Sequence, residues 1–413
     1  MTGKNVLVLA STFPFNEVDP KPDFVKRQVI ALKKENPELN FFVLAPAEYG
    51  AGAKQDNGGV YQEIRFSYFY PRSFQVLTKY GIMPTIKKNK FSLFLVPFFL
   101  VMELWSAFKV ARKYNIDYIY AHWFFPQALV AYFISILLSI PFFYTSHSSD
   151  VQIMSKIPWI GKILVRRVTR RSVGVTSVSG RSLRKISSFF SANEWERIGK
   201  KITIIPMGVT CSVERTFRSV DNGVILFMGR LVKKKGVDFL IEALLDKDIC
   251  FKKLIVAGSG PEQESLMEKV ANNYQIKDKV SFVGYVSGKE KESLFDQASL
   301  VVVPSIIADD GDAEGMPVVL MEAFSRGKIC IATKESGADE YIMDGENGFL
   351  VDQRRPDQLA KKIDVAMKLP QKERRIISER ALQLAKVFDW SSIARRQLVA
   401  MGLESDESTY TKQ

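Results

Sequence analysis

Residues 300–323 read LVVVPSIIADDGDAEGMPVVLMEA. The run 300–303 is apolar, β-branched and of strand length, and it predicts a buried strand. An acidic loop follows, then Gly315, and Met316-Pro317 opens an apolar helix. Proline suits a first helical turn, where its missing N–H leaves no bond unmade. Free N–H groups at that helix start favour an anionic ligand. Glu314 ends the loop and Glu322 falls two turns into the helix, so both can reach one elongated ligand. The same two glutamates also fit a solvated loop before a surface helix, and the flanking sequence has to decide.

Outward from this stretch the strand–loop–helix alternation repeats. Residues 224–228, VILFM, predict a strand leading into GRLVKKKG at 229–236, a glycine turn with cations ahead of a helix over 237–245. There Arg230 can grip a phosphate bidentately and Lys235 supplies a point charge. Residues 254–262, LIVAGSGPE, predict a strand whose Gly258 and Gly260 let a ligand approach the backbone. This is not the GxGxxG fingerprint of a nicotinamide site. Residues 280–286, VSFVGYV, predict a further strand and turn, with ICIA at 329–332 and DGENGFLV at 344–351 beyond.

The first half carries the same pattern. NVLVLA at 5–10, the helical spacing of DFVKRQVIAL at 23–32 and FFVL at 41–44 form a βαβ beginning, which argues for a doubly wound sheet. DYIYAH at 117–122 and FFYTSHSSD at 142–150 read as strands that place His122 and His147 at carboxyl ends, where ligands gather in open α/β sheets. A lone histidine is more often structural, so each is held open between the two roles. KITIIPMGV at 201–209 reads as a last strand and hinge.

A chain of 413 residues predicts two or three domains. Three cysteines without a CxxC, and an N-terminal apolar run too short for a signal sequence, predict reduced thiols and the cytoplasm. Two histidines exclude a multi-histidine metal site. The net charge of +13 lies in the first half, where residues 1–205 hold 28 Lys and Arg against 13 Asp and Glu. That asymmetry fits an anionic partner, whether membrane lipid, nucleic acid or a phosphorylated acceptor, and it also fits plain solubility. No zinc-finger or RNA-recognition signature occurs, so nucleic acid is set aside. The basic residues of 162–171 and 181–185 alternate with apolar ones at helical spacing, as on an amphipathic membrane face or a solvated helix.

Two apolar stretches raise the membrane question. FSLFLVPFFLVMELWSAF at 91–108 holds Pro97 and Glu103, and falls short of the ~20 apolar residues of a span. It reads as a core helix or, led by Lys87, Lys88 and Lys90, an interfacial one. ALVAYFISILLSIPFFYT at 128–145 is divided by Pro141 into a helix-length and a strand-length piece.

Taken in order, GRLVKKKG, VAGSGPE, VSFVG, PS…EGMPVVLMEA and DGENGFLV resemble the retaining, nucleotide-sugar-dependent glycosyltransferases of family 4, which have the GT-B fold. STFP…FVKRQVIAL, AHWFFPQ and TSHSSD, with the DGDAEGMP form of the signature, are similar to members that build exopolysaccharide or capsule repeat units. The resemblance implies two Rossmann-like domains, 1–206 and 207–387, facing across a cleft, with a helix over 388–403 crossing back to the first. The tail beyond is expected to be disordered. Arg230 and Lys235 would neutralise the diphosphate of a UDP- or GDP-sugar. Glu314 would contact the transferred sugar, and the backbone of Gly315, Met316, Pro317 and Val318 would hold sugar and phosphate. Glu322 would bind the ribose, Gly258 and Gly260 would line the donor, and Gly284 and Val286 would face the base. His147 matches a histidine near donor sugar and acceptor. Neither cofactor nor metal is implied, and the acceptor would be a lipid-linked saccharide at the inner face of the plasma membrane. Two positions depart from the pattern, Asp23 and Ser148, where related members have glycine. Two alternatives remain: a metal-dependent transferase using Asp310 and Asp312, and a membrane-associated module that binds a nucleotide sugar without turnover.

Overall fold

The computed structural model describes residues 3–15, 21–47, 54–56, 58–79, 81–147, 149–157, 159–211, 222–246, 249–309 and 311–404. Ser148, Asp310 and the tail from 405 lie outside them. The chain divides into two units, Met1–Pro206 with Trp390–Gln413, and Met207–Asp389.

The first unit is built on strands β1 (Asn5–Leu9), β2 (Asn40–Pro46), β3 (Lys54–Asp56), β4 (Tyr61–Phe66), β5 (Tyr118–His122), β6 (Phe142–Ser146), β7 (Gly174–Ser177) and β8 (Ile202–Ile204). They lie in the order β3-β4-β2-β1-β5-β6-β7-β8, and only the edge strand β3 pairs antiparallel. Alternation explains the two cores. Leu7 and Leu9 of β1 face one and Val6 and Val8 the other, because successive side chains point to opposite faces. A parallel sheet covered on both sides is therefore apolar throughout its strands. The helix Trp390–Ala400 returns to this unit and packs on the helix Phe24–Glu35, with Arg395 Nε 2.6 Å from Glu35.

The second unit holds β9 (Val224–Met228), β10 (Lys253–Ala257), β11 (Val280–Gly284), β12 (Leu300–Val303), β13 (Ile329–Thr333) and β14 (Phe349–Val351), in the order β11-β10-β9-β12-β13-β14. This parallel order reverses direction between β9 and β12, the topological switch point where doubly wound sheets bind ligands. β9 and β12 pair only through Ile225↔Leu300 and Leu226↔Val301. Beyond these pairs β9 and β12 no longer bond to each other, and each continues only with its outer neighbour, β10 or β13.

The predicted strands recur with small differences. The strand expected over 142–150 stops at Ser146, and the helix Ser149–Ser155 begins where the serines and Asp150 favour a helix start. Pro317 stands just outside its helix, Val318–Phe324, because its ψ of 125° is extended. Glu322 is consequently the fifth of seven helical residues, about one turn in rather than two.

Candidate functional site at the switch point of the second sheet

The loop after β9 passes through Arg230 to a tight turn at Lys233–Lys235. It ends at Gly236, which has φ 62°, a left-handed conformation that suits glycine. A Cβ on Gly236 would lie 2.0 Å from the carbonyl oxygen of Pro304, so only glycine lets this loop meet the one after β12. The contact is sealed by the Ile306 N–H, which donates to the Lys234 carbonyl at 2.8 Å. Gly258 makes the second close approach: its φ is 142°, and an added Cβ would lie 1.8 Å from the Gly229 carbonyl oxygen. Its N–H donates to the Gly284 carbonyl at 2.6 Å, and the Leu231 N–H donates to Ser259 at 3.0 Å across Gly260. Backbone bonds thus tie the loops after β9, β10 and β11 together.

Charged side chains meet where the first of these loops touches the one after β12. Glu314 lies 3.3 Å from Lys235 Nζ through one oxygen and 3.3 Å from Lys234 Nζ through the other. Lys234 also reaches Asp312 at 3.2 Å. Burial works against a charge on Glu314, but the Lys235 and Lys234 ammonium groups outweigh it and hold the carboxyl down at about 2. Burial likewise works against Lys234, and Glu314 and Asp312 outweigh it to raise its pKa. Glu314 is therefore a fixed anion between two fixed cations. Arg230 is exposed on the same loop.

The remaining candidates are placed differently. Glu322 forms an ion pair with Lys291 at 2.5 Å, on the neighbouring helix Gly288–Gln297. Val286 and Met316 are core side chains, so they offer a ligand only backbone, whereas Val318 is exposed. Asp312 is committed to Lys234 and Asp309 to Arg354 at 2.8 Å. Asp310, the other half of the suggested metal pair, is outside the described residues.

His147 belongs to the first unit, just past β6. Its Nε2 lies 3.2 Å from Nδ1 of His122, the fully buried last residue of β5. Trp123 and Phe24 flank the His147 ring at 4.8 and 5.2 Å. Trp123 has φ 74° and ψ 145°, a region occupied almost only by glycine, so the backbone beside the histidine pair is strained. Asp150 accepts from the Phe124 N–H at 2.6 Å and from Ser146 Oγ at 3.0 Å, fixing the turn that carries His147. Asp23, before the helix Phe24–Glu35, is engaged by Arg27 at 2.6 Å.

A model of the group 1 glycosyl transferases matches residues 213–383. An uncharacterised glycosyltransferase of Methanocaldococcus jannaschii is 30% identical over 299 residues, 70% of this chain and 77% of that protein. The chain belongs to the group 1 glycosyltransferases, family 4. It is thus a glycosyltransferase, in a family whose members are typically retaining. A glycosyltransferase assigned provisionally to colanic acid biosynthesis in Salmonella typhimurium is 34% identical over 171 residues, 40% of this chain and 41% of that protein. The chain thus spans less than half of this polysaccharide-biosynthesis relative. HepE of Anabaena, solved in complex with UDP, superimposes with a TM-score of 0.66 at 18% identity, covering 97% of this chain and 100% of that one. The fold is GT-B.

The family resemblance singles out Lys235, but this glycosyltransferase joins Glu314 to Lys234 as well. Three consecutive lysines give no sign of which one turns inward; the tight turn at Lys233–Lys235 decides it. Lys291 and Trp123 were equally silent. The ion pair of Lys291 depends on how two helices pack, and the strain at Trp123 on a backbone angle.

Proposed function

We propose that this glycosyltransferase moves a hexosyl unit, with retention, from a UDP- or GDP-sugar to a lipid-linked saccharide in bacterial exopolysaccharide, capsule or O-antigen assembly. The observation that carries the donor half is the switch-point cluster, Glu314 fixed as an anion beside Lys234 and Lys235 on glycine-stitched loops. Arg230 and Lys235 neutralise the donor diphosphate, and Glu314 faces the transferred sugar. The Gly315–Val318 backbone holds sugar and phosphate while Glu322, once turned from Lys291, binds the ribose. The backbone of Gly258, Gly260, Gly284 and Val286 lines the nucleotide. His147 serves the sugar and acceptor side.

Charge develops on the leaving phosphate oxygens as the bond to the anomeric carbon breaks. Preorganised cations stabilise that charge without reorganising during the step. The acceptor oxygen bonds to the anomeric carbon from the same face, and its proton passes to the departing phosphate. No second carboxylate is needed as nucleophile. The acceptor assignment is supported by the colanic acid relative and by the cationic first half. We place the enzyme on the cytoplasmic face of the plasma membrane for the same reasons.

The test is a panel of UDP- and GDP-sugars scored by thermal stabilisation, since a ligand that binds only the folded state raises apparent stability. Transfer of label from the stabilising donor to a lipid extract follows. A panel in which no sugar nucleotide shifts the melting temperature overturns the reading.

A further inference from the structure

The helix Leu95–Lys113 and the turn Lys90–Phe94 before it form one apolar run. Among the described residues it is the one long and apolar enough to cross a membrane by length and composition. Its inner face cannot leave the protein, because Leu95, Phe99, Ala107 and Val110 belong to the core beside the first sheet. The outer face is the opposite of what a helix against water shows. Phe94, Phe98, Val101 and Trp105 follow one another at helical spacing and are 64%, 41%, 65% and 52% exposed. Phe69 meets Phe98 edge to face at 5.2 Å and extends the stripe to the preceding turn, where Phe74 is also exposed.

Cations close both ends of this stripe. Lys87, Lys88 and Lys90 are exposed at its start, and Lys109 and Arg112 at its finish. Lys109 Nζ lies 4.8 Å over the Trp105 ring. The sole acidic residue in this run, Glu103, is fully buried on the inner face. The outer face therefore offers aromatic and aliphatic side chains between two groups of positive charge, with no carboxylate among them.

We propose that this face is the element that enters a membrane, with Phe94, Phe98, Val101 and Trp105 in the acyl boundary of an anionic bilayer and the lysines at its headgroups. Aromatic residues rimmed by Lys and Arg are the chemistry of an interfacial helix, and flanking cations gain from anionic lipid. The basic helix Ile160–Arg171 fits this role less well, because three of its five cations are engaged internally. There Arg166 donates to the Phe189 carbonyl at 2.7 Å and Arg171 to the Ser135 carbonyl at 2.8 Å, while Arg170 pairs with Glu194. A second copy of the chain also fits less well. Parallel or antiparallel, two such stripes would set lysines against lysines with no acid to meet them.

The proposal deepens the reading of a membrane-held acceptor, and the two fail separately. The full chain is sedimented with vesicles of phosphatidylcholine alone and of an equal mixture with phosphatidylglycerol, at low and high salt. Binding is expected to the mixed vesicles, weakened but not abolished by salt, with a blue shift of tryptophan emission that Trp105→Phe diminishes. The double variant Phe94→Glu/Val101→Glu is expected to bind at least tenfold more weakly, with unchanged melting temperature and sugar-nucleotide stabilisation. Wild-type binding by that variant overturns the proposal, as does equal binding to neutral vesicles. So does a dimer in free solution that the variant dissociates, since the stripe would then be an interface between copies. Loss of vesicle binding on Lys162→Glu/Arg167→Glu alone would move the docking face to the basic helix. None of these outcomes touches the donor reading, which stands or falls on sugar-nucleotide stabilisation.

Discussion

His122 Nδ1 and His147 Nε2 lie 3.2 Å apart, the rings inclined by 25°. Burial, reinforced by His147, lowers the pKa of His122 well below the ordinary histidine value. Burial alone takes His147 down to about 3. Both rings are therefore neutral at physiological pH, one nitrogen donating and the other accepting. Unfolded histidines take up protons below about 6.5 while the folded pair does not, so the unfolded state binds more protons in that window. Stability is full above it and falls on acidification, by roughly 1.4 kcal/mol per pH unit for each histidine. Urea unfolding across this range is expected to show that slope, and His147→Gln to reduce it by one proton. The chain has two histidines, so ¹⁵N imidazole spectra assign directly. Signals that titrate near the ordinary value would contradict the neutral pair.

Glu314 makes the converse case. Its carboxyl is held at about 2, below the ordinary 4.5, by Lys235 and Lys234 against the cost of burial. A depressed carboxylate adds stability that is present above its unfolded pKa and is lost as pH falls through the folded one. Glu314→Gln is therefore expected to cost on the order of 3 kcal/mol near neutral pH and progressively less below about pH 4.5. Denaturant midpoints at several pH values check this. A loss that does not change with pH would assign the effect to packing instead.

The fold was legible because its signals are local. Leu300 to Val303 and Val224 to Met228 are apolar on both faces, as strands buried in a parallel sheet must be, and Pro141 separates the helix Leu129–Leu138 from β6. The glycines at 236 and 258 were visible as a turn and as room for a ligand, but that each admits the backbone of a neighbouring loop was not. Pairings between elements were not legible. The partner of Glu322 is Lys291, 31 residues earlier, and the contact of His122 with His147 follows from β5 and β6 being neighbours. The outer face of Leu95–Lys113 was ambiguous for a further reason. An apolar run with apolar residues all round has no period to show which side is covered.

Lys235 and Lys234 are expected to separate by function. Lys235 contacts Glu314 alone among the ion pairs here, whereas Lys234 holds both Glu314 and Asp312. Lys235→Ala leaves Glu314 with one cation and the loops joined, so the melting temperature should fall, by less than Glu314→Gln lowers it. Turnover should fall by about 10²–10³-fold if Lys235 meets the charge on the leaving diphosphate. Lys234→Ala, which removes the partner of two carboxylates, should lower the melting temperature more. Near wild-type transfer by Lys235→Ala would remove that residue from the donor site.

Glu103 supplies a stability test of the helix that carries the exposed stripe. It is fully buried, and Gln127 Nε2 donates to it at 3.1 Å. Burial raises its pKa to about 8, the Gln127 bond offsetting this only in part. The folded state therefore keeps a proton that the unfolded state has lost between 4.5 and about 8. This makes stability fall as pH rises through that window. Glu103→Gln has no proton to lose. Its advantage over the wild type should be near zero at about pH 4.5 and grow to on the order of 3 kcal/mol near neutrality. Urea unfolding of both proteins at the two ends of the window reads this difference. A variant less stable than wild type at every pH would mean that the carboxylate is charged in the native state and has a partner that Gln127 alone does not provide. The inner face of the helix would then be more polar than its packing beside the first sheet implies.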